Sequence, residues 1–279
     1  MDLVQSIIMG FVQGLSEFLP ISSSGHLVFA SNFYKVCNNL DIMEHANQEI
    51  FLDIMLHFGT LIAVLIFFRK EIFQIIKATY YGIKNKDFND LDCKMGLYIL
   101  LGTLFTIVIA LPLNGIASKL VFSPKCVAIL LFITGVLLLI SEKISKKILN
   151  KKPIKLKEAI LIGIAQGLAA LPGFSRSGLT IATGLFCGVD RTTAAKYSFL
   201  LSIPIIIGSS MLYPLVAIDY NEFVTYNWIS IIIGTIVSGI SGYICIKYFI
   251  KFVSKFSLNI FGYYCILMSI FVFIFFIGR

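Results

Sequence analysis

Hydrophobic positions along this chain form long unbroken runs separated by short polar loops. Six of these runs approach or reach the roughly 17–25 residues that a helix needs to cross a bilayer. A run of this length with few or no charged residues predicts a transmembrane helix. The six predicted spans lie at about 50–68, 97–113, 126–141, 196–217, 228–246 and 258–278.

Two further apolar stretches, 1–31 and 158–190, are interrupted by residues that break helices. The first contains Pro20 and three consecutive serines, and the second contains Pro172 and Gly173. Proline removes a backbone donor and clashes with the preceding turn, so neither stretch is typical of a simple spanning helix. Irregular backbone at membrane depth is tolerated only where protein encloses it. Both stretches are therefore predicted to be re-entrant helical hairpins surrounded by the six spans.

Basic residues are concentrated in three loops, at 69–96, 142–157 and 247–255. Cytoplasmic loops carry such an excess of Lys and Arg, so these loops are placed on the inside. Stretch 158–190 then begins and ends at the cytoplasmic side, whereas stretch 1–48 enters the membrane from the outside. The formal net charge of +8 belongs to this topology and indicates no nucleic-acid partner. Arg191 and Lys196 are expected to reach the cytoplasmic interface.

The composition is typical of a protein that lies in the membrane throughout. Of the 279 residues, 58% are hydrophobic and 14% are charged, and the mean hydropathy is +0.90. No separate soluble domain is expected outside the apolar stretches. Asp2 and Glu17 argue against a cleavable signal at the N-terminus. The six cysteines are dispersed without metal-binding spacing and are interpreted as packing residues.

The two interrupted stretches resemble each other when residue 13 is aligned with residue 166. The matched pairs are Ile7 and Ile160, Gly10 and Gly163, Gln13 and Gln166, Gly14 and Gly167, Leu15 and Leu168, Ser22 and Ser175, Ser24 and Ser177, and Gly25 and Gly178. Because the loop charges give the halves opposite orientations, the repeat is predicted to be inverted. The predicted fold is an all-α integral membrane protein with six transmembrane helices and two re-entrant hairpins. The first repeat covers 1–141, a basic cytoplasmic linker covers 142–157, and the second repeat covers 158–279, within a single membrane domain.

The second hairpin carries an arginine inside a long apolar neighbourhood. Arg176 lies in the segment Pro172-Gly173-Phe174-Ser175-Arg176-Ser177-Gly178-Leu179-Thr180. Its planar fork of donors matches phosphate oxygens, and nearby hydroxyl and N–H groups could complete an oxyanion site. The alternative is a solvated loop whose arginine reaches the interface. The phosphate-binding candidates of this segment are Ser175, Ser177, Thr180, Gly173 and Gly178 beside the arginine.

The first hairpin differs from the second where chemistry would require a difference. It carries Glu17, Ser23 and His26, and the aligned positions of the second hairpin are Ala170, Arg176 and Leu179. Broken segments of inverted repeats meet near the middle of the membrane, so the two residue sets are expected to come together. An acid, a hydroxyl and an imidazole beside an arginine indicate phosphoryl transfer.

The role of each residue in the first hairpin has more than one interpretation. Ser23 is a candidate nucleophile, with His26 or an activated water as the alternatives. Glu17 could orient His26 or hold a divalent cation. Ser22, Ser23 and Ser24 could instead cap a helix after Pro20, and His26 could be a core histidine. Asp53 and His57, one turn apart, could support the site, bind a metal or serve the structure alone.

Two segments resemble the signature motifs of the undecaprenyl-diphosphate phosphatases, the bacitracin-resistance family. They are Gln13-Gly14-Leu15-Ser16-Glu17-Phe18-Leu19-Pro20-Ile21-Ser22-Ser23-Ser24-Gly25-His26 and the segment from Pro172 to Thr180. The resemblance implies an integral hydrolase of the bacterial plasma membrane that removes the terminal phosphate of undecaprenyl diphosphate. Such an enzyme recycles the lipid carrier of peptidoglycan synthesis and confers bacitracin resistance. The resemblance also implies a site toward the outer face and a divalent cation, magnesium or calcium.

The resemblance assigns roles residue by residue. The acidic pair of the family falls on Gln13 and Glu17, and its serine and histidine fall on Ser23 and His26. Its phosphate clamp falls on Ser175, Arg176, Ser177 and Thr180, with Ser22, Ser24, Gly173 and Gly178 also expected to contact substrate. Gln13 departs from the family because many members have glutamate there. A metal site would then depend on Glu17 and Gln13, with Asp53 as the compensating acid.

The main alternative function is a transporter or flippase of a phosphorylated lipid. Alternating-access carriers use inverted repeats with paired broken segments. They are expected to have chemically similar hairpins, which this chain lacks. Phosphatases of the phosphatidic-acid type require a histidine after the arginine, and the histidines here are His26, His45 and His57. The sequence leaves a homodimer open.

Overall fold

The computed structural model describes residues 3–37, 46–120, 123–217 and 226–275. Eleven α-helices account for most of these residues, and no β-strand is found among them. The all-helical prediction is therefore confirmed for the described residues, whereas His45 lies outside them. The helices are α1 (Leu3–Ser16), α2 (Ser23–Cys37), α3 (Ala46–Phe67), α4 (Arg69–Asn85), α5 (Leu91–Leu120), α6 (Pro124–Lys147), α7 (Leu156–Leu168), α8 (Arg176–Phe186), α9 (Arg191–Ala217), α10 (Trp228–Val253) and α11 (Asn259–Phe275).

Four helices in the described part of the chain are long and apolar enough to cross a membrane. They contain the predicted spans at about 50–68, 97–113, 126–141 and 228–246, and their apolar segments are Ile50–Phe67, Leu91–Ala117, Lys125–Lys147 and Trp228–Val253. The prediction of a multi-pass membrane protein is thereby confirmed. The predicted span at 258–278 corresponds to the shorter apolar helix α11, and the one at 196–217 lies in α9. Six membrane crossings in an inverted arrangement stay a prediction.

Both interrupted stretches fold as two helices joined by a short connection. The first breaks between Ser16 and Ser23, and the second breaks between Leu168 and Arg176. Each connection contains a proline, whose ring and missing N–H prevent the helix from continuing. The predicted helix breaks are therefore confirmed, and the re-entrant helical hairpins stay a prediction.

The segment 69–96, expected to be a basic loop, is largely helical. Helix α4 covers Arg69–Asn85, and α5 begins at Leu91, before the predicted start of its span. Lys86 ends α4 in a left-handed conformation with φ 56°, and its N–H donates to the last carbonyls of the helix. The Asp90 carboxylate accepts from the N–H of Cys93 at 2.9 Å and caps α5. The segment was predicted to be a loop because of its lysines, although its apolar residues recur at helical spacing.

The chain divides into two compact units. The first comprises Met1–Phe18, Ser23–Phe67 and Ser202–Tyr248, and the second comprises Leu19–Ser22, Phe68–Leu201 and Phe249–Arg279. The two repeats at 1–141 and 158–279 stay a prediction.

Close helix contacts in the first unit depend on glycines. A Cβ on Gly10 would lie 2.5 Å from the carbonyl oxygen of Gly234, so α1 and α10 meet through their backbones. Ser238 of α10 donates to the carbonyl oxygen of Leu56 in α3 at 2.8 Å. The apolar core of this region consists of Met9, Leu27, Phe51, Leu52, Leu56 and Ile231. These contacts fix α3, which carries Asp53, and α1, whose end directly precedes Glu17.

The second unit packs α5 against α7, α6 against α11, and α8 against both α6 and α7. A buried ion pair fixes one end of this unit. Arg191 donates from Nε and Nη2 to the Glu142 carboxylate at 2.7 and 2.6 Å, and the N–H of Leu258 donates to the same group at 2.9 Å. The hydrogen bonds from Arg191 to the Glu142 carboxylate raise the pKa of the guanidinium above its ordinary value. Its partner lies on a helix remote in sequence, and the position of Arg191 at the cytoplasmic interface stays a prediction.

Candidate active site

A buried carboxylate forms the centre of the first residue set. Gln13 and Glu17 lie one turn apart on one face of α1 and its end, and both are buried. The reversal of the chain between Glu17 and Ser23 returns the first residue of α2 to the end of α1. The hydroxyl of Ser23 donates to Oε2 of Glu17 at 2.8 Å, and Nε2 of Gln13 donates to the same oxygen at 3.0 Å. The structure therefore brings together three of the predicted site residues.

The turn before Ser23 has an unusual backbone. Ser22 is buried and has φ 71°, a left-handed conformation that residues with a side chain rarely adopt. Such strain persists where the surrounding structure imposes it, and here it directly precedes the candidate nucleophile. Ser24 and His26 follow in the first turn of α2, and both are half-buried. His26 lies three residues after Ser23 and thus on the same side of the helix.

Helix α3 contributes a histidine to the same carboxylate. Nε2 of His57 lies 3.6 Å from Oε2 of Glu17. Its Nδ1 is 2.8 Å from the carbonyl oxygen of Asp53 and 3.5 Å from the Asp53 carboxylate. A carbonyl oxygen can only accept, so Nδ1 carries a hydrogen in this contact. His57 was not among the predicted catalytic residues. Its position one turn after Asp53 was the one feature of the sequence that pointed to it. Its approach to Glu17 depends on the packing of α1 against α3.

The residues around Glu17 offer oxygen atoms suited to a hard cation. Oε1 of Gln13 and Oδ1 of Asp53 are buried and accept no hydrogen bond. Magnesium and calcium bind carboxylate and amide oxygens, and magnesium usually retains several waters. Among the described residues, no group of three or more His, Cys, Asp or Glu side chains is arranged to hold a metal. The donor set of Gln13, Glu17 and Asp53 therefore fits a cation that keeps part of its hydration.

The second residue set surrounds the start of α8, in the second unit. Ser175 caps this helix, and its hydroxyl accepts from the N–H of Gly178 at 3.1 Å. Arg176 is the first residue of α8 and is half-buried. A helix N-terminus carries unsatisfied N–H groups and partial positive charge, which favour anions. The arginine and the helix start thus combine two features that attract phosphate.

The other hydroxyls of this segment hold the loop itself. Thr180 Oγ1 lies 2.6 Å from the hydroxyl of Ser198, and Ser177 donates to the carbonyl oxygen of Leu19 at 2.9 Å. Leu19 belongs to the turn between α1 and α2, so this turn contacts the phosphate-binding candidate loop within the second unit. Ser198 and Leu19 are supporting contacts that no local sequence pattern indicated.

The two glycines of the segment have steric roles. Gly173 has φ 103°, and a Cβ there would approach the carbonyl group of Val127, with 2.9 Å to the carbonyl carbon. A Cβ on Gly178 would lie 2.9 Å from side-chain atoms of Ser175 and Thr134. The backbone conformation at the first glycine disfavours any side chain, which explains its place in the turn that precedes Arg176.

Comparison with known proteins gives one consistent result. A family model described as bacitracin resistance protein BacA matches residues 6–271. The undecaprenyl-diphosphatase of Methanobrevibacter smithii is 38% identical over 98% of this chain and 97% of its own length. That of Halothermothrix orenii is 39% identical over 98% of both chains. Undecaprenyl-diphosphatase 1 of Pseudoalteromonas translucida is 35% identical over 97% of both.

Proposed function

The chain belongs to the bacitracin resistance protein BacA family, and we propose on that premise that it hydrolyses undecaprenyl diphosphate to undecaprenyl phosphate and inorganic phosphate. The observation that supports this reaction most directly is the hydrogen bond from Ser23 to the buried Glu17 carboxylate. A hydroxyl that donates to a carboxylate is poised to lose its proton as it attacks. The names of the relatives favour this hydrolase over the alternative of a transporter or flippase of a phosphorylated lipid.

The proposed reaction begins with attack of Ser23 Oγ on the terminal phosphorus. A bond forms between Oγ and phosphorus, the bond to the bridging oxygen breaks, and Glu17 accepts the serine proton. Undecaprenyl phosphate leaves with the bridging oxygen, and water then hydrolyses the phosphoserine to release inorganic phosphate. His26, one turn after Ser23, is assigned to moving a proton to the bridging oxygen. His57 and Gln13 keep the Glu17 oxygen directed at Ser23.

Arg176 is assigned to neutralising charge on the diphosphate. Its guanidinium can form two parallel hydrogen bonds to phosphate oxygens, and the start of α8 adds backbone N–H groups. Ser175, Ser177 and Thr180 keep this loop in place through the hydrogen bonds described above. The sequence predicts that Arg176 acts on the same substrate molecule as Glu17 and Ser23, and this stays a prediction. Ser22 and Ser24 are assigned to the turn and to phosphate contact, respectively.

A divalent cation, magnesium or calcium, is proposed at Glu17, Gln13 and Asp53. Such a cation would supply positive charge that neutralises part of the charge on the diphosphate. Gln13 adds an oxygen without charge, so Asp53 supplies the second negative charge of the set. The buried oxygens of Gln13 and Asp53 that accept no hydrogen bond support this assignment.

The cellular setting follows from the basic loops and the proposed substrate. The protein is proposed to lie in the plasma membrane with its active site toward the outer face, where it recycles the lipid carrier of peptidoglycan synthesis and confers bacitracin resistance. The assigned chemistry needs one copy of the chain, and a homodimer stays a prediction.

Phosphate release from undecaprenyl diphosphate by the purified protein in detergent tests the proposal. We expect release by the wild type, stimulated by magnesium, and its loss in the variant Ser23→Ala. The variant Ser254→Ala removes an exposed serine hydroxyl and should retain wild-type release. No release from a folded wild type with or without cation would contradict the hydrolase assignment. Lipid transport in vesicles would then be the next measurement.

A further inference from the structure

Helix α4 presents three different faces along its 17 residues. One face packs against α5. A Cβ on Gly82 would collide with the Sγ of Cys93 in α5, and a Cβ on Gly96 of α5 would lie 3.1 Å from side-chain atoms of Ile75 and Thr79. The small residues thus let the two helices approach closely, and this face is already occupied.

The second face is an exposed apolar stripe. Its members follow one another at intervals of three, four and three residues, which places them on one line along a helix of 3.6 residues per turn. Their exposed fractions are 68% for Phe73, 62% for Ile76, 61% for Tyr80 and 54% for Ile83. A contiguous exposed stripe of large apolar side chains indicates a surface that is covered in the working protein.

The third face is a stripe of lysines beside the apolar one. Lys70, Lys77 and Lys84 recur every seventh residue, and all three are exposed. Lys77 and Lys84 each follow a member of the apolar stripe, Phe73 and Tyr80, by four residues, so the stripes are neighbours. Glu71 is the acidic residue of α4. The helix therefore has the distribution of an amphipathic helix that lies at an anionic lipid surface.

The position of α4 in the chain favours a bilayer as the surface that covers the stripe. The apolar segment Ile50–Phe67 ends immediately before α4, and the segment Leu91–Ala117 begins six residues after Asn85. Both ends of a helix about 26 Å long are thus connected to membrane-spanning segments. Aromatic and lysine side chains are the residues that concentrate at the level of lipid headgroups.

We propose that α4 docks on the anionic surface of the bilayer. Phe73, Ile76, Tyr80 and Ile83 enter the boundary between headgroups and acyl chains, and Lys70, Lys77 and Lys84 bind lipid phosphates. This surface is independent of the proposed hydrolysis, because it needs no residue of the candidate active site.

Tryptophan fluorescence in the full-length protein tests the docking. The variants Tyr80→Trp and Gln74→Trp are reconstituted in phosphatidylcholine vesicles that contain phosphatidylglycerol, with bromine on the acyl chains of one lipid. Each variant is compared with the parent protein, whose one tryptophan is Trp228. We expect quenching at position 80 and little at position 74, which is exposed on a different side of α4. Equal quenching at the two positions, or none at position 80, would overturn the proposal. A second copy of the chain that covers the stripe would give no quenching at position 80.

The choice of brominated lipid tests the role of the lysines. Each lysine near an anionic surface is expected to enrich anionic lipid by up to about fivefold. Quenching at position 80 should therefore be stronger with brominated phosphatidylglycerol than with the same fraction of brominated phosphatidylcholine. The triple variant Lys70→Gln, Lys77→Gln, Lys84→Gln should lose this difference. The charge-matched control Lys152→Gln, Lys155→Gln, Lys157→Gln should keep it, and an equal loss in both would contradict specific binding by α4.

Discussion

Replacing Glu17 by glutamine separates the chemistry of the candidate site from its packing. The Glu17 side chain is 6% exposed, and its Oε2 accepts from Ser23 and Gln13. Glutamine has nearly the same volume and keeps one acceptor oxygen, but it is not a proton acceptor at neutral pH. Loss of a general base lowers a rate by about 10²–10⁴-fold, or about 3–5 kcal/mol of activation free energy. We therefore expect kcat to fall within that range in Glu17→Gln.

The variant Glu17→Ala is the structural comparison. It would leave the Ser23 hydroxyl and the Gln13 amide without their acceptor, each at about 1–3 kcal/mol, and so destabilise the protein by about 2–6 kcal/mol. Glu17→Gln keeps an acceptor oxygen and so avoids most of this loss of stability. The thermal unfolding of this variant in detergent should stay close to that of the wild type. Initial rates of phosphate release over a range of substrate concentrations give kcat and KM. A kcat within about fivefold of wild type for folded Glu17→Gln would refute the assignment of Glu17 as the base.

Substitutions at Arg176, His57 and Gly173 test other parts of the proposed site and fold. Arg176→Lys keeps the charge but loses the bidentate fork, so kcat/KM should fall by about 10- to 100-fold; an unchanged kcat/KM would contradict the clamp. His57→Leu should lower kcat while KM and thermal stability change little, and His57→Gln, which keeps a polar group beside the catalytic carboxylate, should recover most of the rate. An unchanged kcat in His57→Leu, or no recovery of kcat in His57→Gln, would show that the imidazole does not position that carboxylate. Gly173→Ala should lower the free energy of unfolding by about 1–3 kcal/mol because of its positive φ, whereas Gly208→Ala, where a Cβ would meet nothing within 4 Å, should not.

The positions of the helix breaks could be predicted because they depend on local sequence. Pro20 and Pro172 cannot continue a helix, and the matching glycines and serines indicated two equivalent hairpins. The same local patterns indicated Glu17, Ser23 and Arg176, since an ionisable residue in an apolar stretch needs a reason to be there.

Contacts between distant helices could not be predicted in this way. The approach of His57 to Glu17 depends on how α1 and α3 pack, and hydrophobic periodicity does not determine which helices are neighbours. The ion pair of Arg191 could not be predicted either, because its partner, Glu142, lies 49 residues earlier in the chain. Lysines in the segment 69–96 suggested a loop, although the apolar residues between them follow the period of a helix.

Chemical trapping of the phosphorylated enzyme tests whether Ser23 is the nucleophile. Undecaprenyl diphosphate with a radiolabelled terminal phosphate is mixed with the enzyme, the reaction is quenched with denaturant within the first turnover, and labelled peptides are mapped. We expect Ser23 to carry the label, and we expect no labelled protein in Ser23→Ala. A labelled His26, or phosphate release without any labelled protein, would contradict Ser23 as the nucleophile.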